Sequence, residues 1–384
     1  MKTKIRTVFC LLLLFLSPTF AAGQERAWED IYKKQMGAMD TSELERQIGR
    51  MDGEARELLK PYDWRNLPGQ ARDENKIGAR LLYFLTGEFR RNLGFLGMLI
   101  ILVVLTSIMQ HFQDAFGGEG PAKAGFYICY LTLLVLVLVN FAAAMKAGRE
   151  TVSLMVDFMY AILPVLLSLL GAAGGMVSIH LLQPILLAGI ITVADCTRDL
   201  VFPLFFLSGV LGVFSQFGSE ITVKNLAGLL RECGTWLLGL AVSIFLAMMS
   251  VKGINAALVD GVSLRTAKFM TGTLVPIVGS NITDALDMVA GCALLLKSTL
   301  GLFGVMAVFL ICAFPFIKLL VLALLYRLAG ALLQPTGEQQ IHLALREVGN
   351  SLQGVLAVLF VVTMMFIAVL TFVVVLGNLS AVSL

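Results

Sequence analysis

The sequence predicts an all-α, polytopic membrane protein, and three observations carry that expectation. Hydrophobic residues make up 58% of the 384 positions and charged residues only 14%, whereas a water-soluble domain carries about 25% charged residues. Apolar runs long enough to cross the roughly 30 Å hydrocarbon layer recur along the chain. The charge is also unevenly divided: residues 24–92 hold 13 acids and 13 bases, and the far longer stretch 93–384 holds the same numbers. A small polar domain therefore precedes a membrane domain of about eight helices, helical hairpins included. The expected boundaries are 1–22, an export signal; 23–92, a polar helical extracytoplasmic domain; 93–152, two transmembrane helices; 153–252, a first membrane repeat unit; and 253–384, a second.

Each segment has its reason. Lys2, Lys4 and Arg6 form a basic start, Val8 to Leu16 an apolar centre, and Pro18 to Ala22 a small-residue exit, the three-part pattern of a signal peptide. In the polar domain, Asp40-Thr41-Ser42-Glu43 can cap a helix. Leu44, Ile48, Met51, Ala55, Leu58 and Leu59 then recur at helical spacing until Pro61. That narrow stripe serves either a partner helix or the membrane domain itself. Acids and bases are mixed there, so no one-sign basic face for nucleic acid exists. Spans are expected at 93–109, 125–145, 200–217, 234–251 and 352–377, with one kinked span across 299–333, where Pro315 and Lys318 interrupt the run. Residues 157–195 read as a helical hairpin joined at Gly171 to Gly175.

An internal repeat organises the second half. Leu230-Arg231-Glu232-Cys233-Gly234 recurs as Leu345-Arg346-Glu347-Val348-Gly349, and Phe245 and Met249 continue the match onto Phe360 and Met364. Upstream, Phe202-Pro203 aligns with Phe314-Pro315, and Leu163-Pro164 with Val275-Pro276. Shared Leu and Gly are cheap in apolar sequence, but a repeated Arg-Glu pair is not. Arg231, Glu232, Arg346 and Glu347 are accordingly candidate partner-docking residues. Two crossings plus a hairpin per unit return the chain to its starting side, which makes the copies parallel.

The second copy is far more polar at its hairpin. Asp260, Arg265, Lys268, Asp284, Asp287 and Lys297 surround Gly272, Pro276 and Gly279, where the first copy has mostly Leu, Ala and Gly. An ionised side chain at the centre of a bilayer costs several kcal/mol, about 2.5 to 3.5 on insertion scales, so such groups pair, line a wet cavity or lie at the interface. Asp260, Arg265, Lys268, Pro276, Gly279, Asp284 and Asp287 form a candidate polar membrane site, with an interfacial helix as the competing account.

Other chemistry finds little support. The six cysteines lie apart, with no CxxC and no partnering histidine spacing, so neither a zinc site nor a disulfide framework is indicated. His111, His180 and His342 are isolated, and Gly171 to Gly175 lacks the Lys-Ser/Thr ending that holds phosphate and magnesium. No nucleophile and base stand together, so an enzyme is not expected, and neither is a metal or cofactor.

Asp260-Gly261-Val262-Ser263-Leu264-Arg265-Thr266-Ala267-Lys268-Phe269, Pro276-Ile277-Val278-Gly279, Thr283-Asp284-Ala285-Leu286-Asp287 and Leu294-Leu295-Leu296-Lys297 resemble the characteristic region of the stage III sporulation protein AE family. The order of signal peptide, polar domain and polytopic remainder is similar too. The resemblance implies a multi-pass protein of the mother-cell membrane around the forespore, part of a secretion-like or feeding channel complex needed for forespore development after engulfment. It implies as partners membrane lipid, the other stage III sporulation A proteins with a secretion-type ATPase among them, and a forespore membrane protein; homo-oligomerisation is a further expectation. A different class, a self-sufficient secondary transporter binding a small solute between the repeats near Pro164 and Pro276, rests on the repeat alone.

Orientation sets two rules against each other. A translocated signal peptide puts residues 23–92 outside, and parity carries Lys146, Arg149, Arg198, Lys252, Arg265 and Lys268 to that side. Lys123, Lys224, Arg231, Arg327 and Arg346 remain in the cytoplasm. The positive-inside rule favours the reverse. The specific three-part signal decides for the first orientation.

Overall fold

The computed structural model describes residues 34, 35, 37, 40–62, 75–115, 121–173, 176–216, 224–274, 279–333 and 339–382. Side chains are described at 34, 35, 37, 40–62, 77–112, 124–173, 183–216, 225–250, 288–332 and 340–375. The signal peptide expected at 1–22 lies outside them. Every regular element among them is helical: α1 Ser42–Gly49, α2 Gly53–Leu59 with a 3₁₀ turn Lys60–Tyr62, α3 Asn75–Ala115, α4 Pro121–Ala172, α5 Met176–Asp195, a π-helical turn Cys196–Val201, α6 Phe202–Phe214, α7 Lys224–Leu274, α8 Gly279–Leu333 and α9 Gln339–Val382.

In the polar domain the single helix expected from the apolar spacing is divided in two, α1 and α2, with the break at Arg50–Asp52. Asp40 Oδ1 accepts hydrogen bonds from the Ser42 amide at 3.1 Å and the Ser42 hydroxyl at 2.6 Å, which opens α1. These two donors hold the Asp40 carboxyl below its ordinary range. Leu44, Met51, Ala55, Leu58, Leu59 and Tyr62 are buried, because α1 lies on α4 and α2 on α8. The stripe thus rests on the membrane domain. Arg50 pairs with Asp157 at 2.8 Å and Lys318 with Asp52 at 3.2 Å, fixing both short helices sideways to the bundle.

The membrane domain differs from the sequence expectation in helix length. Among the described residues, five helices are long and apolar enough to cross a membrane, within Ile77–Phe112, Ala124–Ala172, Asn225–Ser250, Met288–Leu332 and Gln340–Val375, against about eight spans expected. The span at 125–145 and the first hairpin arm are one helix, α4. Nothing in Lys146–Val156 breaks it, and a Lys146–Glu150 pair at 3.9 Å supports it one turn apart. Likewise α8 joins the second arm of the polar hairpin to the span 299–333, with Pro315 inside it. The expected span at 200–217 is the 13-residue α6, about 20 Å long and too short to cross alone. It continues α5 through the π turn. Pro203 has no N–H to give the carbonyl four residues back and would crowd it in an α-helix, and a wider turn relieves that conflict.

At 1.5 Å per residue, α4, α7 and α8, with 52, 51 and 55 residues, are each about 80 Å long, more than twice the hydrocarbon thickness. Side-chain contacts divide this length into two apolar layers. In the first, Phe95 meets Tyr326 edge-on at 5.7 Å, Tyr326 donates to the Val137 carbonyl at 3.1 Å, and the ring of Phe141 lies against Gly209. In the second, Gly304 admits Ile162 and Leu370, and Gly189 packs on Phe245. A Cβ on Gly304 would stand 2.5 Å from Ile162 Cδ1 and 3.3 Å from Leu370, so glycine eases this approach of α4, α8 and α9. The C-termini of α3, α6 and α8 and the N-termini of α4, α7 and α9 fall at the outer end of the first layer, and the α4 C-terminus and α5 N-terminus at the outer end of the second.

Candidate functional site: a charged waist and an ion pair between helices

Between the two layers the bundle has a waist of charge. Arg149 on α4 donates to Asp199 at 3.0 Å, and Arg198 donates to Ser153 Oγ at 2.8 Å, both reaching the π turn. Arg50–Asp157 and Lys318–Asp52 lie at the same height, as does the Lys318 ammonium 5.7 Å from the Phe84 ring centre. Gly148 fits among Phe202 and Val355, which keeps α4, α6 and α9 close at this height. These pairs are largely exposed, so each contributes little stability alone. Their value is positional: ionised groups at mid-helix mark where hydrocarbon cannot extend.

Aromatic residues divide unevenly between the two layers. Trp and Tyr concentrate at membrane–water boundaries. The first layer has such residues at both rims: Tyr127 and Tyr130 at its outer end, and Tyr83, Tyr160 and Trp236 at the waist, with Trp236 79% exposed. Beyond the waist, residues 161–200, 239–310 and 357–384 contain neither Trp nor Tyr. The first layer is also faced with exposed Ile101, Ile128, Val135 and Val139.

The four candidate docking residues separate into two inward and two outward. Arg231 on α7 and Glu347 on α9 pair at 2.5 Å, with side chains 25% and 19% exposed, and Ser351 Oγ lies 3.5 Å from the same guanidinium nitrogen. Gly212 on α6 makes the room, since a Cβ there would come 3.1 Å from Glu347 Cβ. Glu232 and Arg346 face outward and are exposed. The two Arg-Glu segments therefore touch each other through one member of each. Arg327, one helix over, donates to Asn350 Oδ1 at 3.0 Å and to Gln353 Oε1 at 2.5 Å.

The candidate polar membrane residues fall in the C-terminal part of α7 and the N-terminal part of α8. Asp260, Arg265 and Lys268 are on α7, and Gly279, Asp284 and Asp287 on α8, while Pro276 lies outside the described residues. Side chains of 251–287 also lie outside them. Lys297, two to three turns further along α8, is fully buried, and its Nζ has no hydrogen-bond partner among the described residues. It shares a face of α8 with Gly301 and Gly304, the face that meets α4 and α9. Sequence reasoning found Lys297 as one of a polar group. Parity already put Lys146, Arg149 and Arg198 on one side; what it missed is that Lys318, read as an interruption of a span, and Asp52 join them at one height.

Comparison with known proteins bears on the family. The family model for stage III sporulation protein AE matches residues 69–377. The stage III sporulation protein AE of Bacillus subtilis (strain 168) is 35% identical over 353 residues, covering 92% of this chain and 85% of that protein. No solved structure matches. A multi-helix membrane protein with a match across four-fifths of its length and an identity well above the level of chance has one reading: the chain belongs to the stage III sporulation protein AE family.

Proposed function

We propose that this sporulation protein is the membrane-embedded core of a channel assembly between mother cell and forespore, one layer seated in the mother-cell membrane and the other standing beyond it against partner proteins. The observation that carries this is length. Helices of about 80 Å with exposed apolar residues on both sides of a charged waist present more apolar surface than one bilayer covers. Exposed Leu295, Leu302, Phe360 and Met364 in the second layer need another cover. Other stage III sporulation A proteins, or further copies of this chain, would supply it. The polar residues Asp260, Arg265, Lys268, Asp284 and Asp287 are tolerable in a layer that leaves the hydrocarbon, and they would line the passage or its partner contacts.

The repeat supports two related docking positions, of which the outward Glu232 and Arg346 are the accessible members. A secretion-type ATPase is one partner that these charged positions would take. Charge reversal of both, Glu232→Lys with Arg346→Glu, is expected to reduce recovery of partner proteins from sporulating cells without lowering the amount of this chain. Undiminished recovery contradicts the docking role. Solute uptake by the purified protein alone in liposomes contradicts the assembly role.

A further inference from the structure

The waist carries a pocket that none of the foregoing uses. It has a volume of about 380 Å³ and is lined by Glu54 from α2 and Tyr83, Phe84, Gly87, Arg90 and Arg91 from α3. Phe84 forms the floor, buried and edge-on to Phe314 at 4.7 Å. Arg91 lies 6.0 Å from the Phe84 ring centre and 3.6 Å from Glu88, while Arg90 is exposed. The remaining nearby charges are committed at the back: Lys318 to Asp52, and Arg80 to Glu57. The pocket lining thus presents two guanidinium groups on one wall, Arg91 sharing its charge with Glu88 beside it, and the Glu54 carboxylate on the other.

Below it, the same face of α3 continues toward the first layer as Gly87, Gly94 and Gly97, then Met98, Ile101, Leu105 and Ile108. A Cβ on any of the three glycines would meet nothing within 4 Å, so this face is an open gutter. Met98, Ile101, Leu105 and Ile108 are 48%, 68%, 41% and 44% exposed.

We infer that this pocket binds an aminophospholipid, its phosphodiester between Arg90 and Arg91, its ammonium at Glu54, and one acyl chain in the glycine gutter of α3. Each part of the lipid meets its complement in the right vertical order. Guanidinium groups hold phosphate oxygens through paired, charge-assisted hydrogen bonds. A carboxylate across the pocket favours a headgroup that carries a cation over a purely anionic one. Basic pockets at the ends of membrane helices hold lipid headgroups in this manner, and Tyr83 at the rim is a residue of the boundary zone. The inference rests on the proposed seating of the bilayer around the first layer, but its test does not. A headgroup clamped between α2 and α3 would tie the outer domain to the bilayer surface.

The test is native mass spectrometry of the full chain purified in mild detergent, titrated separately with phosphatidylethanolamine, phosphatidylglycerol and inorganic phosphate. Phosphatidylethanolamine should be retained in preference to phosphatidylglycerol, and inorganic phosphate should not displace it. Arg90→Gln with Arg91→Gln should lower retention about tenfold, in line with the loss of charge-assisted hydrogen bonds. Glu54→Gln should erase the preference between the two lipids, and Gly94→Leu should weaken both by filling the gutter. All four positions are at the surface or half-buried, so the variants should stay folded, checked by unchanged circular dichroism. Retention indifferent to the two arginines, an initial preference for phosphatidylglycerol, or displacement by inorganic phosphate overturns the assignment.

Discussion

Removal of Arg231 should destabilise the bundle more than removal of Arg231 and Glu347 together. The two side chains are three-quarters or more buried and 2.5 Å apart, between α7 and α9 and against Gly212 of α6. Arg231→Met leaves the Glu347 carboxylate facing Gly212 and Ser351 without its cation. Breaking a fully buried pair costs about 3 to 5 kcal/mol. The residual exposure of both groups admits water, which brings the expectation here to about 2 kcal/mol. Arg231→Met with Glu347→Gln removes the stranded charge and should cost about 1 kcal/mol or less, a coupling of 1 to 3 kcal/mol across the cycle. Denaturant titration in mild detergent micelles, followed by tryptophan fluorescence, measures all four corners. Additive single and double changes would refute the reasoning, since they would mean that neither charge depends on the other.

Three further outcomes follow from the packing and the burial. Gly304→Leu forces α8 away from Ile162 and Leu370 and should cost about 1 to 3 kcal/mol in the same titration, whereas Gly239→Leu, with open space around its Cβ, should cost far less. Lys297→Met removes a buried ammonium without a partner among the described residues. It should leave stability unchanged or raise it by about 1 to 4 kcal/mol while lowering spore yield, and a less stable variant would show that the charge is structurally compensated. Asp157→Asn frees Arg50 and loosens α1 from α4, so protease cleavage between the outer domain and α3 should quicken with little change in the global unfolding midpoint.

Much of this fold could be read from local pattern. The stripe from Leu44 to Leu59 predicts one helix with a narrow apolar face, and the structure buries that face but divides the helix into α1 and α2 at Arg50–Asp52. The break near Gly171 to Gly175 separates α4 from α5 as glycine clustering suggests. Helix continuity was not readable, because hydropathy counts apolar windows and treats a charged stretch as an end. Lys146-Ala147-Gly148-Arg149-Glu150 looks like a boundary, yet nothing in it stops a helix, and its charges find partners on α5–α6 and within one turn. The Arg-Glu repeat was visible as a pattern, but its consequence was not. Which member turns inward depends on the packing of α6, α7 and α9, and that follows from Gly212 and Ser351, neither of which belongs to the motif.

The seating of one layer in hydrocarbon and the other beyond it is most directly tested by nitroxide labels on the purified chain in liposomes, at Ile101 and Val135 in the first layer and at Leu302 and Phe360 in the second. Labels at Ile101 and Val135 should be relaxed by oxygen and shielded from an aqueous nickel chelate, and labels at Leu302 and Phe360 should lack that hydrocarbon profile. The same oxygen-rich, nickel-poor profile at all four positions would place both layers in lipid and contradict the account.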